Sequence, residues 1–106
     1  MLKELTVKEL KEKLDNHEDL QLIDVREPME FEFCQMGGEL IPLGDLPKNV
    51  AKISREKPVV FICHHGFRSA QAIQYLTQRH QFDNLYNLKG GIHAWAVEVD
   101  PTVGIY

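Results

Sequence analysis

A run of four apolar residues that ends in a cysteine constrains this chain more than any other feature. Residues 59–62 (VVFI) lead directly into Cys63, and apolar residues recur at helical spacing after Arg68. Short apolar runs bounded by turn signals are typical of buried strands, and an i, i+3, i+4 pattern is typical of an amphipathic helix. The sequence therefore predicts that Cys63 lies where a buried strand ends in a tight loop that leads into a helix N-terminus.

Such a position favours a reactive thiol. Unpaired backbone N–H groups in a curled loop and at a helix N-terminus form a pocket that stabilises negative charge. The thiolate is the nucleophilic form of cysteine, and surroundings of this kind with a nearby cation promote it. Gly66 permits the positive φ that we expect in the loop, and Arg68 supplies the cation. The alternative is a structural cysteine at a strand end, because free cysteines are among the most buried residue types.

The composition is that of one small globular domain. A length of 106 residues suits a single domain over 1–106, and a formal net charge of −4 argues against nucleic acid or an anionic membrane as a partner. We find no apolar segment of the kind that signal peptides carry, and no run of the roughly 18 apolar residues that a membrane span needs. Two cysteines are too few for a disulfide framework and fit a reducing compartment. We therefore expect a cytoplasmic protein.

Strands and helices alternate along the chain. The predicted strands are residues 2–5, 20–25, 40–43, 59–62 and 85–88. The predicted helical segments begin after a capping box at Thr6 and Glu9, at Pro28, within 44–54, at Arg68 and at Ile92. This alternation predicts an α/β domain with a mostly parallel sheet, in which active sites lie at the carboxyl ends of strands. Cys63 falls at such an end.

Five landmarks along nearly the whole chain resemble, in order, those of a single-domain rhodanese. They are residues 22–28 (LIDVREP), 30–31 (EF), 41–43 (IPL), 63–69 (CHHGFRS) and 88–95 (LKGGIHAW). The resemblance implies a rhodanese-like α/β fold, with a five-stranded, mostly parallel sheet and helices on both faces. It also implies sulfurtransferase activity of the thiosulfate sulfurtransferase type, with no cofactor.

In the chemistry that the resemblance implies, Cys63 attacks the outer sulfur of a small-molecule donor, thiosulfate or a persulfide, and becomes a persulfide. The terminal sulfur then passes to a thiophilic acceptor, which is cyanide in an assay and a thiol or protein cysteine in a cell. Backbone N–H groups of the loop hold the negative charge. We expect the substrate contacts to come from His64, His65, Gly66, Phe67, Arg68 and Ser69.

The length of the loop separates the two chemistries of this fold. Four residues lie between Cys63 and Arg68, as in the sulfurtransferases that the chain resembles. The related phosphatases and arsenate reductases have one more residue, which makes a wider cradle for a tetrahedral oxyanion. Many small rhodaneses carry a basic residue directly after the cysteine, where this chain has His64 and His65. Because histidine is neutral at pH 7 unless perturbed, we expect a weaker attraction for anionic thiosulfate.

Three residues at the end of the second predicted strand or just after it are candidates to support the loop. Asp24 or Glu27 could pair with Arg68 and hold the shape of the loop, or be solvated carboxylates. Arg26 either gathers anionic donors at the rim or is a surface charge. Of the two loop histidines, we favour His65 as the one that lines the pocket.

The other loop residues have alternative roles. Phe67 covers the sulfur with apolar surface or packs under the loop. Ser69 is expected to cap the helix or brace the loop rather than act as a nucleophile, since no base is evident for it. We expect no metal site at Cys63, His64, His65 and another histidine. Adjacent ligands rarely close one tetrahedral site, and no C-x2-C or H-x3-H spacing accompanies them.

Two further alternatives stay open. Cys34 is expected to be a buried core thiol, and the alternative is a resolving cysteine that forms a disulfide with Cys63. The whole chain is expected to be an enzyme, and the alternative is a non-catalytic docking module with the same fold. Retention of Cys63 with Gly66, Arg68 and Ser69 favours the enzyme.

Overall fold

Five parallel strands form one sheet in the computed structural model, which describes residues 2–106. They are β1 (Glu4–Leu5), β2 (Gln21–Asp24), β3 (Glu39–Leu40), β4 (Val59–Ile62) and β5 (Leu85–Leu88). The order across the sheet is β1-β5-β4-β2-β3, and every neighbouring pair is parallel. This arrangement confirms the predicted α/β fold and places the apolar strand β4 at the centre.

Helices cover both faces of the sheet, as predicted, and residues 2–106 contain four α-helices. They are α1 (Val7–Asp15), α2 (Pro28–Phe33), α3 (Phe67–His80) and α4 (Gly91–Glu98). One core contains buried residues of α3, and the other contains buried residues of α1 and α4. Among residues 2–106, we find no helix with the length and apolar character needed to cross a membrane.

The central strand contributes to both cores because its side chains alternate between the two faces. Val59 and Phe61 belong to the core on the α3 side, and Val60 and Ile62 belong to the core on the α1 and α4 side. Cys63 continues the first series and belongs to the α3 side. The alternation thus places the thiol at the carboxyl end of β4, on the face of the sheet that α3 covers.

Local sequence signals account for several of the boundaries. The capping box before α1 is confirmed, since the Glu9 N–H donates to Thr6 Oγ1 at 3.1 Å and the Thr6 N–H donates to Glu9 Oε1 at 2.8 Å. Pro28 begins α2 at the first helical position. The helical spacing over 44–54 becomes two short 3-10 helices, Leu43–Lys48 and Val50–Lys52. Pro47 lies inside the first one, where it lacks the N–H that a continuous α-helix would use.

Candidate active site

The thiol of Cys63 lies buried beneath the loop that joins β4 to α3. Its side chain is 1% exposed. The Gly66 N–H donates to Cys63 Sγ at 3.0 Å, and Ser69 Oγ lies 3.3 Å from the same sulfur. Gly66 has a φ of +105°, a conformation that residues with a side chain rarely adopt. The positive φ predicted for Gly66 is therefore observed, and it curls the loop so that its N–H faces the sulfur.

A polar pair, Ser69 and Asn87, connects this loop and the start of α3 to β5. The Ser69 hydroxyl donates to Asn87 Oδ1, and Asn87 Nδ2 donates to the Gly66 carbonyl at 3.0 Å. Ser69 and Asn87 are both buried. Ser69 is therefore a brace of the loop, as predicted. Asn87 was not among the predicted site residues, although an amide in the middle of the apolar strand LYNL was a usable signal.

The N-terminus of α4 also holds the loop in place. The Ile92 N–H donates to the Cys63 carbonyl at 2.9 Å, and the His93 N–H donates to the His64 carbonyl at 3.1 Å. A β-carbon at Gly91 would lie 2.4 Å from the carbonyl oxygens of both Cys63 and His64. The glycine therefore permits the close approach that these two hydrogen bonds require.

Arg68 pairs with Glu30, a carboxylate that was not among the predicted site residues. Its Nη1 and Nη2 donate to Glu30 Oε1 and Oε2 at 2.6 and 2.9 Å. These bonds lower the pKa of Glu30 to about 2, and the same bonds raise the pKa of Arg68. The prediction that Asp24 or Glu27 pairs with Arg68 is wrong. Glu27 precedes α2 and is exposed, whereas Glu30 lies within the helix and is half-buried beside α3.

Asp24 and Arg26 form a buried ion pair of their own. Both are 0% exposed, and Arg26 Nη2 donates to Asp24 Oδ2 at 2.7 Å. Nη2 also donates to the Cys34 carbonyl at 2.8 Å, and Nη1 donates to the Tyr106 hydroxyl at 3.0 Å. Arg26 is therefore neither a rim residue nor a surface charge, and both predictions for it are wrong. A buried charge needs several hydrogen-bond partners. One of them is the Cys34 carbonyl, so the guanidinium also fixes the segment after α2.

Both cysteines are free thiols. Cys34 is 7% exposed and belongs to the core on the α1 and α4 side. Arg26 Nη1 lies 3.9 Å from Cys34 Sγ. The prediction that Cys34 is a buried core thiol is confirmed, and no disulfide joins it to Cys63.

The prediction favoured His65 as the histidine that lines the pocket, but His64 is the more buried of the two. His64 is half-buried and its ring stacks on Tyr106, with centroids 3.9 Å apart and an interplanar angle of 8°. Burial is the main reason that the pKa of His64 is lowered. His65 is exposed, so His64 is the more enclosed of the two. Phe67 is 80% exposed and does not pack under the loop.

A third histidine, His93, joins these two from α4. Its ring centroid lies 4.9 Å from that of His65 and 6.1 Å from that of His64. His93 was not among the predicted site residues, because 29 positions of sequence separate it from His64 and only the fold brings them together.

Comparison with known proteins identifies the family. A family model described as rhodanese-like domain matches residues 6–98. The putative sulfurtransferase YtwF of Bacillus subtilis is 37% identical, and the match covers 94% of this chain and 96% of YtwF. A rhodanese-like domain protein from Staphylococcus aureus, whose crystal structure is known, has a TM-score of 0.84 at 30% identity, with 99% of both chains covered.

Longer proteins also contain a related region. The adenylyltransferase and sulfurtransferase MOCS3-1 of Drosophila pseudoobscura pseudoobscura is 39% identical over 110 residues, which cover 96% of this chain and 24% of that protein. The chain thus spans about a quarter of that relative and nearly all of YtwF. A match of the family model to most of the chain, together with the α/β fold and a cysteine at the end of β4, shows that this chain belongs to the rhodanese-like domain family.

Proposed function

We propose that this protein transfers a sulfane sulfur from a small-molecule donor to a thiophilic acceptor through a persulfide on Cys63. The hydrogen bond from the Gly66 N–H to Cys63 Sγ is the observation that carries the proposal. An N–H aimed at a cysteine sulfur stabilises the thiolate that attacks the donor. The sulfurtransferase names of the relatives agree with this chemistry.

The reaction has two displacement steps. In the first, the Cys63 thiolate attacks the outer sulfur of thiosulfate, the sulfur–sulfur bond of the donor breaks, and sulfite leaves with the electron pair. In the second, cyanide attacks the terminal sulfur of the Cys63 persulfide, thiocyanate leaves, and the thiolate is regenerated. A thiolate acceptor reacts in the same way and becomes a persulfide. Because the transferred atom is already a sulfane sulfur in the donor, both steps are displacements at sulfur and no external oxidant is needed.

The charges around the loop favour a persulfide donor over thiosulfate. Arg68 lies in the first turn of α3, next to the loop, and its charge is balanced by Glu30 at 2.6 Å. The two residues that follow Cys63 are His64 and His65 rather than a basic residue. Thiosulfate carries two negative charges, so a site with little net positive charge attracts it weakly. The reacting group of a persulfide donor carries one charge and delivers the same terminal sulfur.

The free cysteines bear on the cellular compartment, and the Cys63 persulfide determines which acceptors can react. Cys63 and Cys34 are free, which agrees with a reducing compartment, and we propose the cytoplasm. The acceptor in the cell is a thiol or a protein cysteine, since either one can attack the terminal sulfur. A docking module without activity would have no use for an N–H that faces the sulfur of Cys63, so we favour the enzyme over that alternative.

Intact mass spectrometry tests the proposal. The protein is incubated with thiosulfate or, separately, with a low-molecular-weight persulfide, and cyanide is added afterwards. We expect a mass gain of one sulfur atom, removed by cyanide, in the parent protein and in Cys34→Ala. The Cys63→Ser variant should fold, by circular dichroism, and gain no sulfur. If neither donor gives an adduct with the parent protein, the docking module is supported. An adduct on Cys63→Ser would show that another residue is the nucleophile.

A further inference from the structure

Three imidazoles from two separate elements meet beside the loop that carries Cys63. His64 and His65 lie in the loop after β4, and His93 lies in the first turn of α4. One ring nitrogen from each of the three lies within 4.8 Å of the other two. Residues that are distant in sequence thus contribute a compact set of nitrogen ligands.

Two of these rings carry a buried nitrogen that lacks a hydrogen-bond partner. His64 Nε2 and His93 Nδ1 are both unpaired among the described residues, 2–106. A buried polar nitrogen without a partner costs stability, so such atoms are uncommon in folded proteins. Two of them in one histidine cluster indicate a group that pairs with both.

The backbone holds the cluster in place. The His93 N–H donates to the His64 carbonyl at 3.1 Å, and the Ile92 N–H donates to the Cys63 carbonyl at 2.9 Å. The close approach at Gly91 allows both bonds. Two of the three ligand positions are therefore set by the fold before any ion binds, which reduces the entropic cost of assembling a metal site.

We propose that His64, His65 and His93 bind a divalent cation of the zinc class. Imidazole nitrogen suits Zn²⁺, Cu²⁺ and Ni²⁺, whereas Mg²⁺ and Ca²⁺ prefer oxygen ligands. Three protein ligands around Zn²⁺ leave one tetrahedral position open for water or an anion. This proposal departs from the expectation of no metal site, which rested on adjacent ligands and on the lack of a ligand spacing in the sequence. His64 and His65 are adjacent, but the fold brings a third ligand, His93, from α4.

To bind one ion, the three ligand nitrogens must move closer together than they are in this structure. Zinc–nitrogen bonds of about 2.0–2.1 Å in a tetrahedral site place ligand nitrogens roughly 3.3 Å apart. The present separations of up to 4.8 Å are larger. His65 is exposed, so its ring can rotate toward the other two without displacing core residues.

The proposed metal site is separate from the sulfur of Cys63. Cys63 Sγ is already occupied by contacts with Gly66 and Ser69, and it is not one of the clustered ligand atoms. Metal binding therefore does not depend on the sulfur transfer proposed above. It can be tested in a variant that cannot form a persulfide.

A zinc titration of the chelator-treated protein against a chromophoric zinc indicator tests the site. We expect one Zn²⁺ per chain, bound with a micromolar or tighter dissociation constant by the parent and by Cys63→Ser. The His93→Gln variant should bind at least about tenfold more weakly, as loss of a supporting group alone already costs that much. His17→Asn is the matched control, since His17 is exposed in a turn at φ 55°, which asparagine tolerates.

Each outcome decides the proposal. If the parent does not bind Zn²⁺ in this range, or if His93→Gln binds it as the parent does, the trihistidine site is wrong. Loss of binding in Cys63→Ser would also overturn it, because the metal would then be held by the thiolate. Co²⁺ provides a second readout, and we expect visible absorption of a nitrogen-ligated ion without a thiolate charge-transfer band. Circular dichroism of every variant excludes loss of folding as the cause.

Discussion

Arg26 shows how completely a charged side chain can be buried when its neighbours supply partners. Its guanidinium donates to Asp24, to a backbone carbonyl and to the Tyr106 hydroxyl. Removal of the arginine would leave the Asp24 carboxylate buried without its cation. We expect Arg26→Ala to lower the free energy of unfolding by about 3–5 kcal/mol, as for other broken buried pairs.

Urea unfolding at neutral pH measures this change, with an exposed ion pair as the comparison. Lys11 and Asp15 form such a pair on α1, with side chains that are 48% and 59% exposed. Lys11→Ala should cost about 1 kcal/mol or less. Equal costs for Arg26→Ala and Lys11→Ala would mean that water reaches the Asp24 carboxylate.

Whether a residue's contacts could be predicted depended on their separation in sequence. The Thr6–Glu9 capping box was predictable, because both hydrogen bonds span three residues and follow a local rule. Glu30 and Arg68 are 38 residues apart, and their pairing depends on how α2 lies beside α3. Cys63 was identifiable because its surroundings are local: a strand before it and a glycine-containing loop after it.

At the scale of elements, the ion pair between Glu30 and Arg68 joins α2 to α3. Arg68 first of all, then the Glu27 N–H and the Tyr106 hydroxyl, lower the pKa of Glu30 from 4.5 to about 2. A carboxylate with a lowered pKa stabilises the fold fully above its ordinary pKa. That stabilisation is lost as the pH falls from about 4.5 toward about 2. We expect the parent to exceed Glu30→Gln in stability at pH 7, and the difference to shrink below about pH 4.5.

Urea unfolding of both proteins at a series of pH values from about 7 to 3 checks this expectation. Glu32→Gln is the matched control, because Glu32 lies on the same helix and is exposed. Its stability should follow that of the parent across the series. A stability difference between parent and Glu30→Gln that stays constant with pH would show that the Glu30 charge does not tie the two helices.

The docking of α4 against the active loop depends on Gly91. Its φ of +63° lies in the left-handed region, and a β-carbon there would clash with the Cys63 and His64 carbonyls at 2.4 Å. We expect Gly91→Ala to cost more than the roughly 1–3 kcal/mol of the backbone conformation alone. Sulfur transfer should also fall, because α4 must move away and its two hydrogen bonds to the loop are lost.

Thermal unfolding and the sulfur-transfer assay measure both effects. Gly44→Ala is the control, since a β-carbon at Gly44 meets nothing within 4 Å and its φ is not positive. The control should differ little from the parent in both measurements. A Gly91→Ala protein with parental stability and activity would show that the loop does not need α4 at this distance.

At the scale of the whole molecule, the sequence predicted the fold class and the central strands better than the edges. The bounds of β4 and β5 agree with the predicted 59–62 and 85–88, because these strands are apolar runs between clear turns. The edge strands β1 and β3 have only two residues each, and their length is set by how far a neighbour can pair with them. Pairing of this kind is a property of the assembled sheet, so the length of the edge strands could not be predicted from the sequence alone.

The alternation of side chains along β4 also restricts how this protein can change during evolution. Val59, Phe61 and Cys63 share one face of the sheet, and Val60 and Ile62 share the other. Loss or gain of a single residue within β4 would reverse the parity of everything after it. The thiol would then point toward α1 and α4, away from Gly66 and Ser69. Substitutions in β4 can accumulate one at a time, but changes in its length are tolerable only in steps of two.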